Sequence, residues 1–315
     1  MLRPAEQIPT NQHASSRIPS DRRGRDNKHE AFERLKQLLI SISGEINQDM
    51  AKYAEPGKTA FVAPDCTINM RAFKGKAGFD EASIGRDEAK IHESQIGFSS
   101  AMSPNVQAFH KVNTADGVID KWITNKEKSL SNRLEMSVTG VFHKMLKSEF
   151  LVVRSSTYDD YYNGADTVIV NKETGDIICA IDEYNAEGDR SDAKQKKAQK
   201  TDNRGANLRY GLTFEKGAAE SAPKLVVGPI RNIPVFYLKL TRDQLDPLLS
   251  GMDYSSTDRL APVELEVFDK LTADLHAQAS ELKGKSTNPA LAANLERAVN
   301  SVKRMIEIRQ EKFSR

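Results

Sequence analysis

Cysteine is nearly absent: the 315 residues contain two, Cys66 and Cys179. Two are too few for a disulfide framework or a cysteine-based zinc site, and they suit a reducing compartment. Long hydrophobic runs are missing as well. No stretch approaches the roughly 18 consecutive apolar residues that a bilayer span requires. The opening residues, MLRPAEQIPTNQH, carry no apolar block of a secretory signal, so the expectation is a soluble, cytoplasmic protein with no membrane partner. Neither sign of charge is in excess: 46 Lys and Arg face 44 Asp and Glu, for a net charge of +2. A nucleic-acid partner would therefore have to be met by a local basic patch. The six histidines are scattered without metal spacing, and the single tryptophan, Trp122, reads as a core residue. No G-x-S-x-G is present. Gly57-Lys58-Thr59 and Gly284-Lys285-Ser286 imitate the end of a phosphate loop. Each lacks the glycine five positions earlier, where Lys52 and Ala279 stand.

What is present is enough apolar material, 38% of the chain, for a sizeable core. Four segments are expected. Residues 1–28, rich in Pro, Ser, Asn and Arg, form a disordered basic tail. Residues 29–130 form a mostly helical region, opened by a stripe of Phe32, Leu35, Leu38, Leu39, Ile42 and Ile46 at helical spacing. Residues 131–252 form an α/β core. It runs from a helix with Leu134, Val138, Val141, Phe142 and Met145 on its buried face into the strand-like FLVVRSS. A hairpin, a polar lysine-rich helix over 191–204, two strands at 224–228 and 233–240, and a short helix capped by Thr241 follow. Residues 253–315 form a helical hairpin whose second member starts after Asn288-Pro289. That hairpin either packs on the core or presents a surface for a homodimer.

The hairpin NGADTVIVNKETGDIICAIDEYN (163–185) is the most informative stretch. The spacing predicts a three-residue loop, Glu173-Thr174-Gly175, with glycine at the positive-φ position. Lys172 then pairs with Asp176, and Asp166 lies directly across from Asp182. Alternation puts Asp166, Val168, Val170, Ile178, Ala180 and Asp182 on one face. Like charges directly opposed destabilise a strand pair, and two carboxylates in a poorly solvated site conflict unless a cation is shared. A divalent ion with oxygen ligands removes the conflict, and Mg²⁺ suits one or two carboxylates plus water and substrate phosphate. The alternative is that one or both aspartates sit idle at a wet strand end.

A helix with a glutamate, a strand, an Asp, a hairpin and a second acid at a strand end together resemble the core of the PD-(D/E)XK nuclease superfamily, over residues 130–250. The resemblance implies a restriction-endonuclease-like mixed central sheet flanked by helices, here with N-terminal and C-terminal helical additions. It implies Mg²⁺ (or Mn²⁺) held by Glu135, Asp166 and Asp182, and hydrolysis of phosphodiester bonds in nucleic acid, with DNA expected ahead of RNA. The sequence departs from the pattern at one point: Tyr184 stands where the superfamily places its lysine. Lys194 and Lys197, on one face of the following helix, are the candidates to replace it. Asp160, Asn163 and Tyr184 are placed around the site as supporting residues. Lys196, Lys200, Arg204 and Arg209 form the basic patch along which a phosphate backbone would lie. With the lysine missing, a second expectation is a catalytically inactive member of the same fold that binds nucleic acid or a protein.

Overall fold

The computed structural model describes residues 20–54, 60–76, 78–100, 115–185, 205–215 and 223–313, with the side chains of 20–28, 98–100, 115, 116, 118 and 182–185 outside that set. The chain is a mixed α/β structure built around a small sheet. The apolar stripe of the first helix behaves as its spacing predicts. In α1 (Ser20–Ala51), Phe32, Leu35, Leu38, Leu39, Ile42 and Ile46 are all buried. The helix begins at Ser20, so it takes in residues 20–28 of the expected disordered tail; residues 1–19 lie outside the described residues.

The rest of the region expected to be mostly helical opens on an irregular segment. Residues 60–79 are irregular, with a 3-10 turn at Met70–Phe73 and short bridges, one of which joins Thr67 to Arg154. Then come α2 (Glu81–Ser100) and, after residues 101–114, which lie outside the described set, α3 (Ala115–Glu127). The central helix, α4 (Leu130–Leu146), starts at Ser129, whose hydroxyl accepts from the Asn132 N–H. It is buried on all sides from Leu134 to Leu146, which only a helix packed between several neighbours can be. It lies against α1, β1 and β3 and against the C-terminal helices.

The four-stranded sheet has the order β1-β2-β3-β6, formed by β1 (Phe150–Arg154), β2 (Thr167–Asn171), β3 (Ile177–Asn185) and β6 (Val235–Leu240). β1, β2 and β3 form an antiparallel meander, and β6 runs parallel to β3. A seven-residue helix, α5 (Thr157–Asn163), sits between β1 and β2; it is capped by Ser156 and closed by Gly164 at φ 63°. A strand that the sequence reading missed, β4 (Ala206–Glu215), pairs with β5 (Lys224–Ile233) as a separate two-stranded ribbon touching β2 and β3. Its signal is the alternation Leu208, Tyr210, Leu212, Phe214, all buried.

The hairpin turn differs from the expected one. Asn171, not Lys172, pairs with Asp176: the Asn171 N–H donates to the Asp176 carbonyl at 2.9 Å. The loop therefore has four residues, Lys172 to Gly175. Asn171 organises it, because its side-chain oxygen accepts from the Glu173 and Thr174 N–H groups, both at 2.9 Å. Gly175, at φ 73°, occupies the left-handed position and has the Phe214 carbonyl packed over it, where a Cβ would meet that oxygen at 1.6 Å. The extra loop residue is compensated by a register slip at Ile169/Val170. Beyond the slip the expected pairing holds: Ile169↔Cys179, Val168↔Ala180 and Thr167↔Ile181.

After the sheet, α6 (Arg242–Gly251) is capped at Thr241, whose N–H donates to the Gln244 side chain at 3.0 Å. α7 (Pro262–Lys285) and α8 (Pro289–Phe313) then pack on each other as the expected hairpin. Asn288 caps α8, its side-chain oxygen accepting from the Ala290 N–H at 3.0 Å. Leu291, Leu295, Val302, Met305 and Ile308 of α8 are buried within the chain. One contiguous apolar cluster runs from α1 to α8, so the expected segments share a core. Among the described residues, no helix is long and apolar enough to cross a membrane.

Candidate active-site cavity

Glu135 lies in the second turn of α4, and Arg154 ends β1, the strand beside that helix. Ser155 and Ser156 turn the chain into α5, which carries Asp160 and Tyr161, and Gly164 returns it to Asp166, immediately before β2. Five consecutive pieces of backbone thus surround one cavity of about 470 Å³. Its lining includes Glu135, Asp160 and Asp166, three of the residues expected from the sequence, together with Asp65 from the irregular segment.

The position of Asp166 depends on its backbone. Its N–H donates to the Ile181 carbonyl at 2.7 Å, while its own carbonyl accepts from the Ser155 N–H at 2.8 Å. Thr167 is the residue paired with Ile181, so two successive residues oppose one. That arrangement is a β-bulge, the device by which a strand re-aims a side chain near a functional site. Thr167 faces α4, where its hydroxyl meets that of Thr139 at 3.4 Å. The bulge brings Asp166 to the cavity that Glu135 also lines. It also means that Asp166 stands beside Ile181, one residue short of the expected pairing with Asp182. The backbone of Asp182 is next along β3, paired with Tyr237 of β6. The Asp182 side chain lies outside the described residues.

Two cations stand among the carboxylates. The Arg154 guanidinium donates to Glu135 at 2.7 Å and to the Asn132 side chain at 2.8 Å, and contacts Asp65 at 3.2 Å. Its Nε is buried and has no hydrogen-bond partner among the described residues. Burial pushes the Glu135 carboxyl above its ordinary value, against the pull of Arg154 beside it. Burial pulls Arg154 the other way, but Glu135 and Asp65 outweigh it, so the guanidinium is held more firmly protonated than usual. Lys126 of α3 reaches Asp160 at 2.8 Å; burial opposes its charge, the Asp160 carboxylate favours it, and the net shift is upward. On the lining as a whole, the carboxylates Asp65, Glu127, Glu135, Asp160 and Asp166 outnumber the bases Lys36, Lys126 and Arg154.

The donor set is carboxylate and hydroxyl oxygen, with no His or Cys on the described lining. That chemistry fits a hard ion such as Mg²⁺ or Mn²⁺ and not zinc or copper. Of the three acids expected to hold it, Glu135 and Asp166 line the cavity. Among the described residues, no three His, Cys, Asp or Glu side chains are grouped closely enough to form a complete cluster.

The remaining expected residues fall elsewhere. Asn163 does not line the cavity; its amide donates to Asp159 at 2.6 Å. Asp159, unremarked in the sequence, is fully buried and accepts from the N–H groups of Arg209 and Tyr210 at 2.7 and 3.0 Å, pinning β4 to α5. The Arg209 side chain is engaged by Asp87 and lies over Phe79, away from the cavity, so its role in the described structure is to tie β4 to α2. The Tyr184 backbone is in β3, paired with Lys239. Lys194, Lys196, Lys197, Lys200 and Arg204 lie outside the described residues, as does the whole expected helix at 191–204.

Three contributors to the cavity were not foreseen: Arg154, Lys126 and Trp122. Trp122 was expected in the core, but it is only half-buried and forms part of the cavity wall. A hint was available, since the segment around it, IDKWITNKE, is too polar to bury an indole on all sides. No protein-family profile, curated protein or solved structure matches this chain.

Proposed function

We propose that this chain is a metal-dependent nuclease that hydrolyses phosphodiester bonds in nucleic acid, DNA ahead of RNA, with its centre at Glu135 and Asp166. The observation that carries the proposal is the delivery of these two buried carboxylates to one cavity by α4, β1 and a bulged β2. The order of helix, three-stranded meander and a fourth strand parallel to the third supports a restriction-endonuclease-like core. Glu135 and Asp166 would hold Mg²⁺ or Mn²⁺, with Asp182 as the third acid. When bound, the ion would supply Lewis-acid polarisation of the phosphate and acidification of a ligated water. Arg154, which lines the cavity, would offset charge as the phosphorus becomes five-coordinate. Lys194 and Lys197 stand as proposed replacements for the lysine absent at Tyr184, with Lys196, Lys200 and Arg204 along the strand path. A homodimer through α7 and α8 would have to use their exposed sides, because the apolar side of α8 is consumed within the chain.

The test is cleavage of plasmid and single-stranded DNA by the purified full chain, with Mg²⁺ and with EDTA. The proposal expects Mg²⁺-dependent cleavage that Asp166→Ala and Asp182→Ala each abolish; cleavage surviving both substitutions contradicts it.

One observation favours a second reading, a nuclease fold that binds without turnover. Arg154 already occupies an oxygen of Glu135 at 2.7 Å, and an arginine can neutralise a carboxylate cluster in place of a metal. This reading expects salt-sensitive binding of nucleic acid and no cleavage with any divalent ion.

A further inference from the structure

The cavity has a second wall. Besides the carboxylates, Trp122 of α3 and Tyr161 of α5 line the cavity, both half-buried, with ring centroids 6.3 Å apart and planes inclined at 54°. The Lys126 ammonium lies 4.4 Å from the Tyr161 ring centre and 6.0 Å from that of Trp122. Both supports of this wall are fixed. Lys126 is tied to Asp160 at 2.8 Å, and Tyr161 is hydrogen-bonded to Gln95 of α2. A tryptophan kept partly open to a cavity and buttressed by a lysine and a tyrosine, on a helix whose Ile119 is buried, is poor use of an indole for packing. It is the composition of a base-stacking platform, in which rings supply the π-face and a cation supplies further attraction.

Size decides what form of nucleic acid can reach it. A space of about 470 Å³ holds one nucleotide and not a duplex. A base can enter such a space only from a single strand or after leaving its stack. We infer that the Trp122–Tyr161 wall is a nucleobase subsite that takes one unstacked base against Trp122 while its phosphate faces the carboxylates, so that a single strand, which supplies such a base without breaking pairs, is the favoured substrate. This deepens, and rests on, the nuclease reading of the same cavity.

Trp122 is the sole tryptophan, so its emission reports on the subsite directly. The full chain is titrated with a dT12 oligonucleotide, a 12-base-pair duplex and dTMP, in EDTA and again with Ca²⁺, so that binding is read apart from turnover. The inference expects quenching of Trp122 by dT12 at concentrations well below those needed with the duplex or with dTMP. By anisotropy of labelled dT12, Trp122→Ala and Tyr161→Ala should each weaken binding about 5- to 150-fold. Trp122→Phe, which keeps a ring, should stay within a few-fold of wild type, and melting curves establish that the variants are folded. Equal quenching by dT12 and duplex overturns the inference, as does dTMP binding as tightly as dT12. Unchanged dT12 affinity in a folded Trp122→Ala overturns it too. Quenching by dT12 without any Mg²⁺-dependent cleavage would leave the subsite standing and remove the nuclease reading. Cleavage of duplex with no Trp122 response would do the reverse.

Discussion

Arg154 and Glu135 form an ion pair of 2.7 Å between the end of β1 and the second turn of α4, with side chains 12% and 9% exposed. A buried pair of this kind contributes little over an apolar substitute, but losing one member strands the other as an uncompensated charge. Arg154→Met should therefore destabilise the chain by about 3–5 kcal/mol, read as a lowered urea midpoint. Arg154→Lys should recover only part of this. A single ammonium cannot reproduce the fork that serves Glu135, Asn132 and Asp65 together. Wild-type stability in Arg154→Met would show that the pair is not holding α4 to β1.

A second buried pair ties α4 to the C-terminal hairpin. Lys144 and Glu264 meet at 2.7 Å with no exposure on either side chain, and Glu264 also accepts from the Asp253 and Ala261 N–H groups. Lys144→Met is expected to cost about 3–5 kcal/mol, whereas the double change Lys144→Met, Glu264→Gln should cost less than the sum of the single changes. Additive losses in a double-mutant cycle would show that the two groups do not act together.

Asp159 accepts four hydrogen bonds: two, from the Arg209 and Tyr210 N–H groups, fasten β4 to α5, and two, from Ser156 and Asn163, hold its carboxylate within the α5 turn. Asp159→Ala leaves the Arg209 and Tyr210 N–H groups without that acceptor, a loss of about 1–3 kcal/mol for each group left buried and unsatisfied. Hydrogen exchange should show faster exchange at Arg209 and Tyr210 in the variant. Unchanged protection there would mean that the ribbon is held by its apolar contacts alone.

His143, buried on α4 against Glu45, has its pKa lowered to about 4, chiefly by burial, with Glu45 pulling in the opposite direction. The unfolded chain binds a proton on this residue near pH 6.5; the folded chain does so only near pH 4. Above pH 6.5 both states are neutral and the full stability is present. As pH falls from 6.5 to 4, the unfolded state alone gains a proton, so stability drops, by up to about 3 kcal/mol. His143→Gln should flatten this part of the profile of urea-unfolding free energy against pH. A slope that persists unchanged in the variant would assign it to other groups.

Much of this arrangement is written in local patterns. The apolar stripes of α1, α4 and α8 repeat at helical spacing, and Asn288-Pro289 marks a helix start, so those elements are legible. The faces of the hairpin are legible as well, because alternation along β2 and β3 is set by strand geometry alone. Its turn is not: the choice of a four-residue loop depends on the Asn171 side chain reaching two N–H groups, and the compensating slip at Ile169/Val170 is invisible in residue types. The candidate site is legible only in part. Glu135 and Asp166 stand out as acids at telling positions, but the bulge that re-aims Asp166 is a backbone event. The partners Lys126 and Trp122 of α3 and Arg154 of β1 meet Glu135 only through the tertiary packing of α3, α4 and β1. The alternation of β4 is broken at its middle by the buried Gly211, which leaves a short polar-apolar stretch on either side.

Binding of Mn²⁺ to the full chain, followed through the free-ion EPR signal, tests the central claim most directly: the carboxylates of Glu135 and Asp166 hold a divalent cation. The account predicts binding to wild type that is lost in Asp166→Asn and weakened in Glu135→Gln, with both variants folded. Equal binding by wild type and Asp166→Asn, or none by wild type, would contradict it.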